Sequence, residues 1–169
     1  MAHPLEEVIN SAEGLVLIGD SAEERFPGFS YNQYAKAGKR FYCLDLGGLD
    51  VSRGPTKGGK VYKSVAELPE DRSDLAVLWV TRTNCLRAVE VAHEAGCKRV
   101  WFSFKTAHED AVARARELGM EIVEVGRCPI YYYEGASGIC KAHAVAVKAS
   151  GLYAKPPRTE ASRDHREML

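Results

Sequence analysis

The sequence lacks several features that would place it directly in a functional class. Its 169 residues include 23 Lys and Arg and 23 Asp and Glu, so the formal net charge is zero. This balance argues against a nucleic-acid binder that works by bulk attraction to phosphate. No apolar run approaches the roughly 18 residues of a membrane span, and the first residues lack the basic and apolar segments of a signal peptide. We therefore expect a cytoplasmic protein with neither nucleic acid nor a membrane as its partner.

The chain is also poor in groups that commonly carry catalysis or bind metals. It contains five cysteines and no Cys-x-x-Cys pair, which fits free thiols in a reducing compartment. None of His93, His108 and His143 has metal-ligand spacing, so no metal site is predicted. Cys128 follows Arg127 and could be a nucleophile or a redox thiol, but no partner base is evident. We favour a buried small residue at Cys128 and predict no catalytic residue.

What the sequence does contain is a regular alternation of short apolar runs and helical segments. The runs are nearly continuous and β-branched or aromatic, as in strands buried on both faces of a parallel sheet; they span 14–19, 39–46, 74–80, 99–104 and 120–125. Helical spacing occurs over 31–37, 84–95, 107–118 and 136–150, and a glycine follows each segment. The pattern predicts one α/β domain over residues 1–153, a Rossmann-like doubly wound parallel sheet of about five strands flanked by helices. Residues 154–169 are polar and are predicted to form an arm or a disordered tail.

The first predicted strand ends in Gly19, Asp20 and Ser21, where an open α/β sheet commonly binds a phosphate near a helix N-terminus. The following residues do not complete the Gly-x-Gly-x-x-Gly fingerprint of dinucleotide sites, and acidic residues in the loop would repel a pyrophosphate. Ser30 is a candidate cap for the next helix. A plain strand-end glycine remains the alternative interpretation of Gly19.

Two further segments are candidate ligand contacts. The glycine-rich loop 47–59 carries Lys57, a compact positive charge that could meet a phosphate or remain solvated. In the turn after the third strand, Thr81 or Thr83 could cap the next helix, and Arg82 could bind an anion or lie on the surface. The run Tyr131–Tyr133 could stack on a base, although packing in a core or an interface is the commoner role of aromatic residues.

Taken in order, these segments resemble the small stand-alone CoA-binding proteins, which are related to the N-terminal domain of the succinyl-CoA synthetase alpha subunit. The similarity covers roughly residues 5 to 130 and includes Gly19-Asp-Ser21, Thr56–Lys60, Asp74–Val80, Cys97–Phe102 and Arg127-Cys-Pro129. The sequence departs from the family pattern at Asp20, where relatives usually have a small neutral residue.

The resemblance implies a Rossmann-like domain that binds coenzyme A or an acyl-CoA and lacks the synthetase's catalytic domain. Carried over by position, the cofactor contacts are Gly19, Asp20, Ser21, Ser30, Lys57, Val80, Thr81, Asn84, Ser103 and Phe104. We expect a non-catalytic, regulatory binding protein, with an NAD(P)-binding protein or a thiol-dependent acyl-CoA enzyme as the alternative. The segment from 131 to 153 is longer than is usual in the family, and we expect it either to cover the cleft or to form an interface with a second copy or a protein partner.

Overall fold

The computed structural model describes residues 2–49 and 60–161, and these form a three-layer α/β fold around one sheet. Five parallel strands lie in the order β2-β1-β3-β4-β5. Their bounds are Leu15–Gly19 (β1), Phe41–Asp45 (β2), Leu75–Trp79 (β3), Arg99–Phe102 (β4) and Glu121–Val125 (β5). The predicted Rossmann-like sheet of about five strands is confirmed, and each strand lies within the apolar run that predicted it.

Five α-helices flank the sheet. They span Pro4–Ser11 (α1), Gly28–Lys36 (α2), Cys85–Glu94 (α3), Glu109–Glu117 (α4) and Gly138–Ala149 (α5), with short 3₁₀ turns at Ser21–Glu23, Val65–Glu67 and Pro129–Tyr132. Helix α1 was not predicted; it begins at a proline and is capped by His3, whose Nδ1 accepts a hydrogen bond from Leu5 N at 3.2 Å. Within the described residues, no helix combines the length and apolar character that crossing a membrane requires.

Alternate residues of each strand enter two separate cores, one on each face of the sheet. In β1, Val16 and Ile18 pack in the layer covered by α3 and α4. Leu15 and Leu17 pack in the opposite layer, which α1, α2 and the 3₁₀ turn at Pro129–Tyr132 cover. Because both faces of the strands are covered, they read in the sequence as continuous apolar runs rather than as an alternation.

Parallel pairing brings the carboxyl ends of the strands to one edge of the sheet. Gly19, the last residue of β1, pairs with Asp45 of β2 on one side and with Trp79 of β3 on the other. The chain leaves β1 for β2 on one side and then crosses back to β3 on the other, so the strand order reverses at β1 and β3. In open α/β sheets, ligands bind outside the carboxyl ends of the strands at such a reversal.

The segment after α5 returns to the sheet rather than leaving the domain. Glu124 in β5 is fully buried and receives two hydrogen bonds from the guanidinium of Arg127, at 2.6 and 2.9 Å. Arg127 also donates to the carbonyl oxygens of Lys155 and Pro156, at 2.9 and 2.7 Å, and Arg158 N donates to Glu124 at 2.9 Å. Residues 155 to 161, the C-terminal arm, therefore pack on the domain.

Candidate functional site

The carboxyl edge of the sheet is divided into a polar crevice and an apolar cavity. The polar crevice lies at the ends of β1, β2 and β3 and is built around Asp20, Ser21, Asp45 and Asn84. The apolar cavity lies at the ends of β3, β4 and β5, under α5. Nine of the ten predicted contact residues lie in the described part of the chain; Lys57, with loop residues 50–59, lies outside it.

Gly19 is required by packing at the end of β1. A Cβ atom added to Gly19 would overlap Cδ of Pro27, the residue just before α2. Its carbonyl oxygen accepts a hydrogen bond from Leu46 N at 2.8 Å. The glycine therefore lets the loop before α2 fold down onto the strand end, which sets the position of the first turn of α2.

Asp20 is buried, and its carboxylate holds the crevice together. Oδ2 accepts a hydrogen bond from Asn84 Nδ2 at 2.7 Å, and Oδ1 accepts one from Ala22 N at 3.2 Å. The predicted contacts Asp20 and Asn84 are thus brought together, but each binds the other in this structure. The carboxylate accepts hydrogen bonds from a side-chain amide and a backbone N–H group, which are donors of the kind that a phosphate oxygen would otherwise bind.

Ser21 joins the ends of β1 and β2. Its backbone N and its Oγ donate to the two carboxylate oxygens of Asp45, at 2.8 and 2.7 Å, and Leu49 N donates to Asp45 Oδ2 at 2.7 Å. A Cβ atom at Gly47 would lie 2.8 Å from Ser21 Oγ, so a glycine is needed for this close approach. Asp45, which the sequence did not single out, is buried and has both oxygens engaged by its own chain.

Arg25 stands between the crevice and the cavity, and sequence reasoning missed it. Its Cζ lies 5.1 Å from the ring centroid of Trp79 and 5.3 Å from that of Phe104, within cation–π range. The guanidinium also donates to the carbonyl oxygen of Phe104 at 2.8 Å. In the sequence, Arg25 is an arginine in a loop after a strand end, and this pattern is too common to indicate a functional role.

The apolar cavity has a volume of about 470 Å³. Its lining comes from the start of α2, the ends of β3 and β4, the 3₁₀ turn after β5, and α5, and consists of Phe29, Ser30, Trp79, Phe104, Cys128, Ile130, Tyr131, Ile139, Cys140 and His143. Two predicted contacts, Ser30 and Phe104, are among these residues. Trp79, Ile139 and Cys140 were not predicted, because nothing in their local sequence shows that α5 lies across the strand ends.

The polar groups beside the cavity are protonated thiols and hydroxyls. Burial raises the pKa of Cys128 to about 12, and the hydroxyl groups of Ser30 and Ser103 beside the thiol offset only part of that shift. Ser103 Oγ is fully buried and has no nitrogen or oxygen partner among the described residues. Arg127, the positive charge that precedes Cys128 in the sequence, is bound to Glu124 and the C-terminal arm. Cys128 is therefore a buried neutral thiol, as favoured from the sequence.

Several capping predictions differ from the structure. Helix α2 begins at Gly28, so Ser30 lies inside its first turn and does not cap it; the preceding Pro27 makes no side-chain cap. Asn84, rather than Thr81 or Thr83, occupies the cap position of α3 and makes no side-chain cap either. Thr81 Oγ1 accepts a hydrogen bond from Asn84 N at 3.4 Å, which fixes the turn before the helix.

The remaining predicted residues, Val80 and Arg82, contact other parts of the protein's own chain. Val80 is fully buried and packs in the core under α3 and α4. Arg82, left open as an anion partner or a surface residue, is half-buried and donates to the carbonyl oxygen of Ala107 at 3.1 Å. Across residues 2–49 and 60–161, no group of three or more His, Cys, Asp and Glu side chains could hold a metal ion.

The tyrosine run packs against its own chain. Tyr132 stacks on Tyr153 at 4.6 Å between ring centroids, and Tyr133 meets Tyr34 edge-on at 5.1 Å. Tyr131 contacts His143 of α5 at 4.9 Å and lines the cavity. Tyr132 and Tyr133 therefore pack within the protein, one of the alternatives drawn from the sequence, whereas Tyr131 lines the apolar cavity.

Solved structures similar to this chain confirm the fold. A hypothetical protein from Pyrococcus horikoshii OT3 is 26% identical, with a TM-score of 0.61 over 76% of this chain and 86% of that one. A redesigned binding protein, Prb, derived from PH1109, is 24% identical with a TM-score of 0.59 over the same shares. The apo dinucleotide-forming acetyl-coenzyme A synthetase 1 of Ca. Korarchaeum cryptofilum is 21% identical with a TM-score of 0.51, over 72% of this chain and 27% of that one.

No curated protein matches the sequence. The model of one protein family does match, over residues 15–134, and that family is described as a CoA binding domain. The match runs from the start of β1 to just beyond the 3₁₀ turn after β5, and so includes every strand of the sheet and the crevice, but not the α5 residues that line the cavity. The chain belongs to the CoA binding domain family.

Proposed function

We propose that this protein binds coenzyme A or an acyl-CoA along the carboxyl edge of its sheet and carries out no chemistry of its own. The observation that carries the proposal is the two-part cleft in a CoA binding domain. A polar crevice with helix N-termini adjoins an apolar cavity, and coenzyme A has an anionic nucleotide at one end and a thiol or thioester tail at the other. The proposed contacts are Gly19, Asp20, Ser21, Ser30, Lys57, Val80, Thr81, Asn84, Ser103 and Phe104.

The nucleotide end is assigned to the crevice because α3 begins there at Asn84, and α2 begins beside it, between the end of β1 and the apolar cavity. The first N–H groups of a helix have no partner within the helix and attract anions. Neither α2 nor α3 has a side-chain cap. The N–H groups of Gly28 and Cys85 donate to the carbonyl oxygens of Phe26 and Arg82, and the positive end of each helix dipole lies at this edge of the sheet. Lys57 follows β2 in the sequence, and we propose that it adds a positive charge to the nucleotide end of the site.

The placement of Asp45 argues against the NAD(P) alternative. In dinucleotide-binding folds an acidic residue after the second strand accepts a hydrogen bond from a ribose hydroxyl. Asp45 ends β2 here, but it is buried and accepts three hydrogen bonds from Ser21 and Leu49. A ribose would have to displace these internal bonds, so the structure favours CoA over a dinucleotide.

The protonated state of the Cys128 thiol argues against the alternative of a thiol-dependent enzyme. A nucleophilic cysteine needs a thiolate, and a pKa of about 12 leaves on the order of one thiol in 10⁵ ionised at pH 7. His143 lines the same cavity, yet it pairs with the Tyr131 ring and is exposed. The cavity is thus better suited to holding a group than to attacking it.

Thermal unfolding with added ligand tests the proposal. At about 100 times its Kd, a ligand stabilises the folded state by about 2.7 kcal/mol, which for a domain of this size raises Tm by about 5–11 °C. We expect this shift with CoA and little or none with NAD or NADP at equal concentration. A shift with a dinucleotide and none with CoA would refute the proposal.

A charge-removing variant tests the placement of the nucleotide end. Lys57→Gln should weaken CoA binding about 10- to 100-fold, since a hydrogen bond to a charged group contributes about 1.5–3 kcal/mol, and should reduce the salt dependence of Kd. Lys98→Gln is the matched control, because Lys98 is exposed and lies just before β4, at the opposite, amino edge of the sheet. Equal effects of the two variants would remove Lys57 from the site.

A further inference from the structure

The apolar cavity is large enough to hold a small molecule. Its volume of about 470 Å³ falls within the range of small-molecule sites. Two apolar side chains at its open side, Phe29 and Ile139, are 71% and 75% exposed. Exposing such side chains beside an open apolar cavity is unfavourable in water, which indicates that a ligand covers them.

The cavity begins where the polar crevice ends. Trp79 closes β3 and Phe104 follows β4, and both rings line the cavity. The guanidinium of Arg25, which leaves the loop after β1, lies over the same two rings. A ligand running along the carboxyl edge from β1 towards β5 would therefore pass Arg25 and enter the cavity with its far end.

We infer that the cavity holds the acyl group of a CoA thioester, and that the ligand is a thioester with a neutral, apolar acyl group. This inference rests on the proposed function, because it assigns the far end of the ligand whose nucleotide end was placed in the crevice. It adds the class of acyl group, which neither the family nor the sequence specifies.

The lining selects for an uncharged acyl group. Aromatic and aliphatic side chains dominate it, and among its described residues none is Lys, Arg, Asp or Glu. The cationic side chains beside the cavity lie at its entrance, with Arg25 over Trp79 and Phe104 and Lys105 over Phe104, and His143 in the lining is exposed and packs edge-on against Tyr131. A carboxylate seated further in, among the aromatic and aliphatic side chains, would lose its hydration without a compensating partner. A dicarboxylic acyl group such as succinyl should therefore be rejected, whereas an alkyl or aryl group of similar size should fit.

The test compares four ligands by isothermal titration calorimetry on the full chain: CoA, acetyl-CoA, hexanoyl-CoA and succinyl-CoA. Each buried methylene should improve affinity by up to about fourfold. After the loss of chain entropy, hexanoyl-CoA should bind about 10- to 100-fold more tightly than acetyl-CoA. Succinyl-CoA should bind more weakly than CoA. If CoA binds and the three thioesters match it, the inference is overturned while the proposed function stands; if neither CoA nor any thioester binds, both fall.

Two pairs of variants locate the acyl group. Ile139→Asp places a carboxylate at the cavity rim and should abolish the preference for hexanoyl-CoA over acetyl-CoA. Val145→Asp is its control, because Val145 is also exposed on α5 but lines a separate cavity. Cys140→Phe fills the cavity from its half-buried wall and should have the same effect as Ile139→Asp, whereas Cys140→Ser should not. A preference for hexanoyl-CoA that survives both Ile139→Asp and Cys140→Phe would overturn the placement.

A second copy of the chain is the competing occupant. Sedimentation velocity distinguishes it: a dimer of the wild type that dissociates in Ile139→Asp, together with equal affinities for all the thioesters, would show that the apolar rim is a self-association surface. A monomer that prefers hexanoyl-CoA supports the acyl site.

Discussion

Substituting Gly19 by Ala tests whether this glycine serves packing or ligand approach. The added Cβ would overlap Cδ of Pro27, so either the loop before α2 or the end of β1 must move. Overpacking of this kind costs about 1–3 kcal/mol. Gly19 does not have a positive φ, so alanine adds no backbone strain, and the lower entropy of the unfolded chain offsets about 0.4–1 kcal/mol. We expect a net loss of about 1–2 kcal/mol, or about 2–8 °C in Tm.

The double variant Gly19→Ala with Pro27→Ala isolates the cause. Alanine at 27 removes both ring atoms that crowd Gly19, so the double variant should recover most of the stability lost by Gly19→Ala. Urea unfolding of the wild type, the two single variants and the double variant gives the coupling free energy. Because Pro27 adjoins the turn of α2 that carries Phe29 and Ser30, Gly19→Ala should also weaken CoA binding, and the double variant should restore it.

The opposite pattern would refute this explanation. If Gly19→Ala unfolds at the wild-type urea concentration yet loses CoA binding, and the Pro27 change restores nothing, the glycine contacts the ligand directly. The packing explanation requires stability and binding to fall and recover together.

Three further predictions follow from single contacts. Arg127→Met removes one cationic partner of the buried Glu124 carboxylate and should lower the free energy of unfolding, measured in urea, by about 3–5 kcal/mol. A loss under about 1 kcal/mol would mean that the arm does not bury the Arg127–Glu124 pair. Asp20→Asn removes a negative charge from the crevice and should tighten CoA binding about three- to tenfold at low ionic strength, as measured by calorimetry; unchanged affinity would place the phosphates elsewhere. In native alkylation with iodoacetamide at pH 8, Cys140 should react before Cys128, whose pKa is about 12, and peptide mass spectrometry showing the reverse order would contradict the burial of Cys128.

The sheet could be predicted from the sequence because its signal is local and repeated. Each strand is a short apolar run, and Gly96 and Gly119 end their helices with φ of +84° and +73°, as their positions after helical segments indicated. Helix α1 was not predicted because only two of its residues, Leu5 and Ile9, are buried, and because its N-cap is a histidine. Histidine is not among the residues that mark a helix start, so the capping contact became evident only in three dimensions.

The site could be predicted only in part because its contacts are long-range. Asp20 and Ser21 could be identified from the strand end on which they lie. The bond between Asp20 and Asn84 spans 64 residues, and the stacking of Arg25 on Phe104 joins loops 79 residues apart. The position of α5 over the strand ends depends on how Pro129–Tyr132 turns the chain after β5. No local pattern encodes that turn, and so the cavity could not be predicted.

Asp20 has a structural role that bears on function. Its carboxylate binds Asn84 Nδ2 and Ala22 N, and so satisfies donors of the crevice before any ligand arrives. A phosphate entering there must displace a buried carboxylate of like charge, which weakens binding at the nucleotide end. The apolar cavity at the other end of the cleft suffers no such competition. A protein built this way would gain more of its affinity from the acyl end of the ligand than from the nucleotide, and would therefore distinguish acyl-CoA from free CoA more sharply than a site with a neutral residue at position 20.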